Sequence, residues 1–243
     1  MNVLSIGNSF SEDAQKYLYK IAKAGGKQLY SYNLYIGGCS LSRHYRNMLS
    51  SERAYTLQMN GQSTGFPVSL SEGLLNRDWD VITLQQVSSS SAFYDSYQPY
   101  LNELAAYVRK CCPKAKILIH QTWAYDAESE RITNMGFSSR GEMFENLKRA
   151  YDMAAAEISA DGIIPSGKLL EARTANGTAK VHRDGAHASL GIGRYAIGLL
   201  WYATITGGDP LTNKFNDFET EVTPEDVEIA KRCVADICVP LKW

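Results

Sequence analysis

Ser9 stands in Gly7-Asn8-Ser9-Phe10, directly after a short apolar run at residues 3–6. The glycine lets the chain turn sharply, so the serine falls in a loop that feeds the next helix. A serine hydroxyl attacks a carbonyl only when a base removes its proton, because the free hydroxyl is a poor nucleophile. Its own N–H, near a helix start, is a donor for a developing oxyanion. Serine before a helix also serves as an N-cap, and GNSF alone does not separate the two uses.

A base stands near the other end of the chain. His182-Arg183-Asp184-Gly185-Ala186-His187 puts a carboxylate three residues before an imidazole. In a turn, that spacing lets Asp184 hold one ring nitrogen of His187 while the other faces outward, as a general base requires. Two plainer readings compete. Asp184 can cap a surface turn, and His182 can extend the pair toward a metal site. No further His or Cys cluster completes such a set.

Two other segments offer donors. Gly37-Gly38 follows a strand-like run, and a backbone N–H there meets a substrate without side-chain obstruction. Gln85-Gln86 follows another, and an amide there can donate to the same oxyanion. Paired glycines also merely turn, and glutamines are often solvated. The joint arrangement carries the reading.

The elements that must bring these residues together alternate. Residues 3–6, 29–36, 81–84, 116–120 and 162–164 read as short strands. Residues 12–24, 70–75, 99–112, 140–159, 190–205 and 224–238 read as helices. Gly25-Gly26 stops the first helix and Pro113 the third. Residues 42–65 give no clear pattern. Short apolar strands alternating with helices argue for an α/β fold: a three-layer α/β/α sandwich around a roughly five-stranded parallel sheet. In such a sheet ligands lie beyond the carboxyl ends of the strands, where Ser9, Gly38 and Gln85 fall.

The 243 residues fit one α/β domain or two small ones, and need no disulfide or metal staple to bury a core. A formal net charge of −1 and the absence of basic runs exclude a nucleic-acid footprint. No apolar stretch reaches the length of a membrane span. The five cysteines, Cys39, Cys111, Cys112, Cys233 and Cys238, form an odd set without metal-ligand spacing. With no secretory signal ahead of the first strand, the expectation is a reduced, cytoplasmic chain.

On these residues the chain resembles the SGNH (GDSL-like) hydrolase superfamily. Ser9 in GNSF is similar to its first block, with Asn8 where the family usually has Asp. Gly38 in Ile36-Gly37-Gly38-Cys39-Ser40 is similar to the second, and Asp184-Gly185-Ala186-His187 to the last. The third block departs: Leu84-Gln85-Gln86-Val87-Ser88 replaces Gly-x-Asn-Asp, as in a subgroup with Leu-Gln-x-x-Ser. The resemblance implies a single flavodoxin-like domain over residues 1–243. It implies a serine esterase with Ser9, His187 and Asp184 in line and no metal or organic cofactor. The oxyanion would be held by the N–H groups of Ser9 and Gly38 and an amide, Gln85 first and Gln86 second.

The substrate expected is a small ester, with an O-acetyl group on a carbohydrate favoured over a lipid because no long apolar lid is present. Asn8, Trp123 and Tyr125 are the candidate substrate contacts, and residues 88–97 and 126–139 the loops that shape access. Core packing is the competing use of the aromatics. Two rival functions remain: a glycan- or small-molecule-binding protein that has lost turnover, and a nucleotide- or flavin-binding domain. The first loop lacks the glycine pattern that the second needs. The sequence leaves the oligomeric state open.

Overall fold

The computed structural model describes residues 1–177 and 179–243. Among these residues seven strands succeed one another: β1 (Asn2–Gly7), β2 (Tyr30–Tyr35), β3 (Tyr55–Met59), β4 (Gln62–Val68), β5 (Val81–Leu84), β6 (Lys116–Gln121) and β7 (Gly162–Pro165). They form one sheet in the order β4-β3-β2-β1-β5-β6-β7. β2, β1, β5, β6 and β7 run parallel, while β3 and β4 are antiparallel. The parallel part has the flavodoxin order 2-1-3-4-5, whose switch point lies between its first and third strands. Here that is the gap between β1 and β5, and Ser9 and Gln85 lie just past its two walls.

β1 and β5 are buried on both faces, so their runs are apolar rather than alternating. Polar residues inside them are matched. The Ser5 hydroxyl pairs with Thr83 Oγ1 at 2.7 Å and accepts from Gln15 Nε2 at 2.6 Å.

Among the described residues ten helices complete the layers: α1 (Ser9–Gln15), α2 (Leu18–Ala24), α3 (Leu41–Ser50), α4 (Leu70–Leu75), α5 (Tyr100–Cys111), α6 (Arg131–Asn134), α7 (Arg140–Glu157), α8 (Ser166–Asn176), α9 (Ile192–Thr206) and α10 (Pro224–Ile237). α1, α2, α8 and α10 gather around α9 on one face, and α3, α4, α5 and α7 cover the other. α9 is buried from Ile192 to Ile205, which is why, apart from Arg194 and Thr204, its residues there are small, apolar or aromatic on every face. Among the described residues no helix is long and apolar enough to cross a membrane. All five cysteines are free thiols.

The three-layer sandwich matches the sequence reading, with three differences of detail. The helix expected at 12–24 starts earlier, at Ser9, and divides at Lys16-Tyr17. A further helix, α8, follows β7 directly. The unclear stretch at 42–65 holds all of α3 but its first residue, all of β3 and the start of β4, whose hairpin turns at Asn60-Gly61 with φ of 52° and 75°. Paired positive φ angles are what a two-residue hairpin turn of matching twist demands.

Candidate active site

α1 begins at Ser9, and its cap is Asn8, whose Oδ1 accepts the Phe10 N–H at 3.0 Å. The cap is thus provided by the neighbour, and the Ser9 hydroxyl is left for other partners. It lies 2.8 Å from His187 Nε2. On the far side of the ring, His187 Nδ1 is 2.7 Å from Asp184 Oδ2. The other carboxylate oxygen accepts the backbone N–H groups of Ala186 at 3.1 Å and His187 at 2.8 Å.

Asp184 therefore folds the turn and fixes the ring together. Nδ1–H donated to the carboxylate leaves Nε2 as the acceptor facing Ser9. Burial opposes the charge on Asp184. The His187 N–H, the His187 ring and the Ala186 N–H outweigh it and hold the carboxyl well below the usual carboxylate range.

The loop carrying this pair is tied to the helix carrying the serine. Asp13, fully buried on α1, receives Arg183 Nη1 at 2.9 and 3.0 Å, Arg194 Nε at 2.8 Å and the Ala188 N–H at 3.1 Å. Arg183 also donates to the Ala188 carbonyl. A bridge between His182 and Ala188 closes the base of the loop. His182 is engaged elsewhere, with Nε2 on the Ala124 carbonyl at 3.1 Å, and among the described residues no group of three or more His, Cys, Asp or Glu side chains is placed to hold a metal.

Trp123, expected as a substrate contact, is fully buried instead. Its ring stacks on Phe10 with centroids 4.3 Å apart, and its Nε1 donates to the Ala186 carbonyl at 2.8 Å. It braces both halves of the site from behind.

Gly38 has φ +60° in a turn closed by the Cys39 N–H on the Ile36 carbonyl at 3.2 Å. A Cβ there would meet nothing within 4 Å, so the backbone angle, not space, calls for glycine. Asn8 Nδ2 donates to the Cys39 carbonyl at 3.0 Å and so binds this turn to the start of α1. Among the described residues the N–H groups of Ser9 and Gly38 have no protein acceptor. Asn8 reaches the cavity wall, yet its amide is engaged with the protein.

The two glutamines point elsewhere. Gln85 Nε2 donates to Asn8 Oδ1 at 2.7 Å, and its Oε1 accepts from His120 Nδ1 at 2.6 Å. His120 Nε2 then accepts from the Ser166 hydroxyl at 3.1 Å. Burial lowers the His120 pKa to about 3, so the relay is neutral. Gln86 directs Nε2 at the carbonyl and hydroxyl of Ser96, at 2.9 and 3.1 Å. Its Oε1 accepts from the N–H groups of Leu41 and Val87. Neither glutamine lines the cavity, so the amides expected at an oxyanion serve to hold loops.

Ser9, Gly38 and His187 open onto a cavity of about 410 Å³, walled by Tyr35, Ser88 and Tyr125, with Arg131 at its rim. Tyr125 is thus where a substrate contact was expected. The sequence reading gave no role to Asp13 or Arg183, and reached Ser88 and Arg131 only as members of the loops at 88–97 and 126–139 expected to shape access. Asp13 had a signal, a carboxylate one helical turn beyond Ser9, but no partner could be named for it. A hydroxyl, an imidazole and a carboxylate in line, at a cavity that also includes two residues whose N–H groups lack a protein acceptor among the described residues, can carry acyl transfer.

Residues 2–237 match the family model described as a domain of unknown function, DUF4886. No curated protein matches the chain. The crystal structure of a DUF4886 family protein from Bacteroides uniformis is 32% identical, with 97% of this chain and 93% of that one covered and a TM-score of 0.90. A protein assigned as a GDSL-like lipase from Parabacteroides merdae is 14% identical, covering 82% of this chain and 93% of that one, with a TM-score of 0.54. An acetylxylan esterase from Geobacillus stearothermophilus is 13% identical over 83% of this chain and 90% of its own, with a TM-score of 0.53. These two distant likenesses carry the fold alone. With the family model spanning almost the whole sequence, the chain belongs to the DUF4886 family.

Proposed function

We propose that the protein is a serine esterase that removes a small acyl group, acetyl above all, from a carbohydrate or another small alcohol. The observation that carries this reading is the line Ser9 Oγ, His187 Nε2, His187 Nδ1, Asp184 Oδ2, with contacts of 2.8 and 2.7 Å. Block order and fold support it: the arrangement resembles that of SGNH hydrolases, and neighbours of the same fold include an acetylxylan esterase.

In the first half-reaction Ser9 Oγ bonds to the ester carbonyl carbon as its proton passes to His187 Nε2. The carbonyl electron pair becomes an oxyanion facing the N–H groups of Ser9 and Gly38. Collapse breaks the bond to the alkoxy oxygen, which leaves with the proton from His187. Water repeats the sequence on the acyl-enzyme. Asp184 stays a carboxylate and stabilises the imidazolium. The open cavity and its tyrosine walls suit a sugar ring better than an acyl chain, which would require a long apolar slot.

Hydrolysis of p-nitrophenyl acetate, compared with butyrate and longer esters, tests the proposal with Ser9→Ala alongside. Preference for acetate and a variant without turnover are expected. Equal activity in Ser9→Ala would refute it. A second reading, a glycan- or small-molecule-binding protein without turnover, draws on the engagement of both glutamine amides. Covalent labelling of Ser9 by a fluorophosphonate decides against that reading.

A further inference from the structure

We propose that the hydroxyl of Ser88 is the side-chain donor to the oxyanion, from the segment after β5 in which the SGNH pattern supplies an amide two or three residues earlier. The inference rests on the esterase reading and adds a residue to it.

Three observations converge. First, the amides that follow β5 are committed. Both hydrogens of Gln86 Nε2 go to Ser96, Gln85 Nε2 goes to Asn8, and neither residue reaches the cavity. Second, the chain leaves β5 through Val87 into a tight turn at Ser88–Ser90, and this turn puts Ser88 into the cavity wall with Ser9, Gly38 and His187. Third, Ser88 Oγ accepts the phenolic O–H of Tyr125 at 3.0 Å. A hydroxyl carries one donor and two acceptor sites. With an acceptor site occupied and no acceptor for its own proton among the described residues, that proton is available to the cavity.

The Tyr125 contact makes Ser88 a better donor. A hydroxyl that accepts a hydrogen bond is polarised, and its own donated bond strengthens. Burial raises the Tyr125 pKa, so the phenol keeps its proton throughout the working range. During attack the Ser9 proton goes to His187 and the carbonyl pair to oxygen. Ser88 donates a hydrogen bond to that oxygen and keeps its proton. Because the charge exists only in the intermediate and the flanking transition states, the contribution falls on kcat rather than KM.

The test uses the full chain with p-nitrophenyl acetate, and methylboronic acid as a probe that forms a negative tetrahedral adduct on Ser9. Ser88→Ala should lower kcat about 100- to 1,000-fold, the loss typical of one oxyanion donor, with KM nearly unchanged. Boronate affinity should fall with it, and Ser88→Thr should restore most of the rate. Tyr125→Phe should show a smaller kcat loss of the same kind.

Ser88→Ala at wild-type rate, or a loss that Ser88→Thr does not repair, overturns the proposal. If Ser88→Ala does not fold, the same kcat-against-KM comparison in Ser88→Thr and Tyr125→Phe decides. Wild-type protein that neither turns over ester nor labels at Ser9 would fail the esterase reading itself. An active, labelled enzyme indifferent to Ser88 fails this inference alone.

Discussion

Asp13 and Arg183 form a two-point contact, with Nη1 of the arginine 2.9 and 3.0 Å from the two carboxylate oxygens. Asp13 lies on the same short helix as Ser9, and Arg183 immediately precedes Asp184. The pair is therefore the joint between the hydroxyl and the imidazole. Arg183 is itself partly exposed, but Asp13 is fully buried and also holds the largely buried Arg194, and breaking a buried pair of this kind costs up to about 3–5 kcal/mol. Asp13→Asn should lose stability on that scale in urea titrations. Assayed below its unfolding range, it should also lose kcat. Unchanged stability would mean that the loop is held by something else.

Asp184→Asn separates orientation from folding. An asparagine there can still accept the N–H groups of Ala186 and His187, but its amide nitrogen cannot accept the His187 Nδ1–H. The ring is then free to take the wrong tautomer, and kcat should fall about 10²–10⁴-fold. Steady-state kinetics beside a thermal melt would show it, with activity lost at temperatures well below a melt that itself drops because the Asp184 charge no longer adds to stability. In the wild type the Asp184 pKa is depressed in the folded state. Its contribution to stability is therefore complete above the unfolded value of about 3.9 and fades only as pH falls through the folded one. Between pH 5 and 7 it should add no slope.

Slope in that window belongs to buried histidines. Burial lowers the pKa of His44 and of His120 to about 3. Unfolded, each binds a proton near pH 6.5, whereas folded each stays neutral, so the unfolded state holds more protons and stability drops as pH falls. Each group should contribute up to about 1.4 kcal/mol per pH unit between roughly pH 6 and 4. Urea midpoints at steps of pH should trace this decline, and His120→Gln should make it shallower. An identical slope in that variant would rule His120 out as a source.

Asn8→Asp would install the residue usual in the SGNH first block, yet here it should be harmful. Asn8 donates to the Cys39 carbonyl and accepts from Phe10 and Gln85. A carboxylate would lose the donor and face a carbonyl oxygen in a buried place, a loss of about 1–3 kcal/mol. The turn at Gly38 would loosen, so kcat should fall as well. A variant as stable and active as the parent would show that the Asn8 clamp is dispensable.

Much of this was legible in the sequence because parallel strands buried on both faces leave apolar runs, and the residues just after each run land on one rim. That logic alone put Ser9, Gly38 and Gln85 at the same end of the sheet. The hairpin of β3 and β4 was missed although Asn60-Gly61 is a strong turn signal, because β4 is mostly exposed and shows no apolar alternation. Trp123 was misplaced for a different reason. An aromatic after a strand faces either the cavity or the core, and only its bond to Ala186 decides which. The glutamines raise the same difficulty, since a sequence shows that an amide is present and not what it is bonded to. Asp13 and Arg183, 170 positions apart, carry no local sign of each other.

The hairpin has a bearing on how the molecule behaves in company. β4 is the last strand on its side of the sheet, and it contains Pro67, which lacks an N–H, and Gly65 at φ +74°. Its pairing with β3 slips between Thr56 and Gln58. An irregular border of this kind is a poor template for strand addition, so crowding should not zip one copy onto the next along this border.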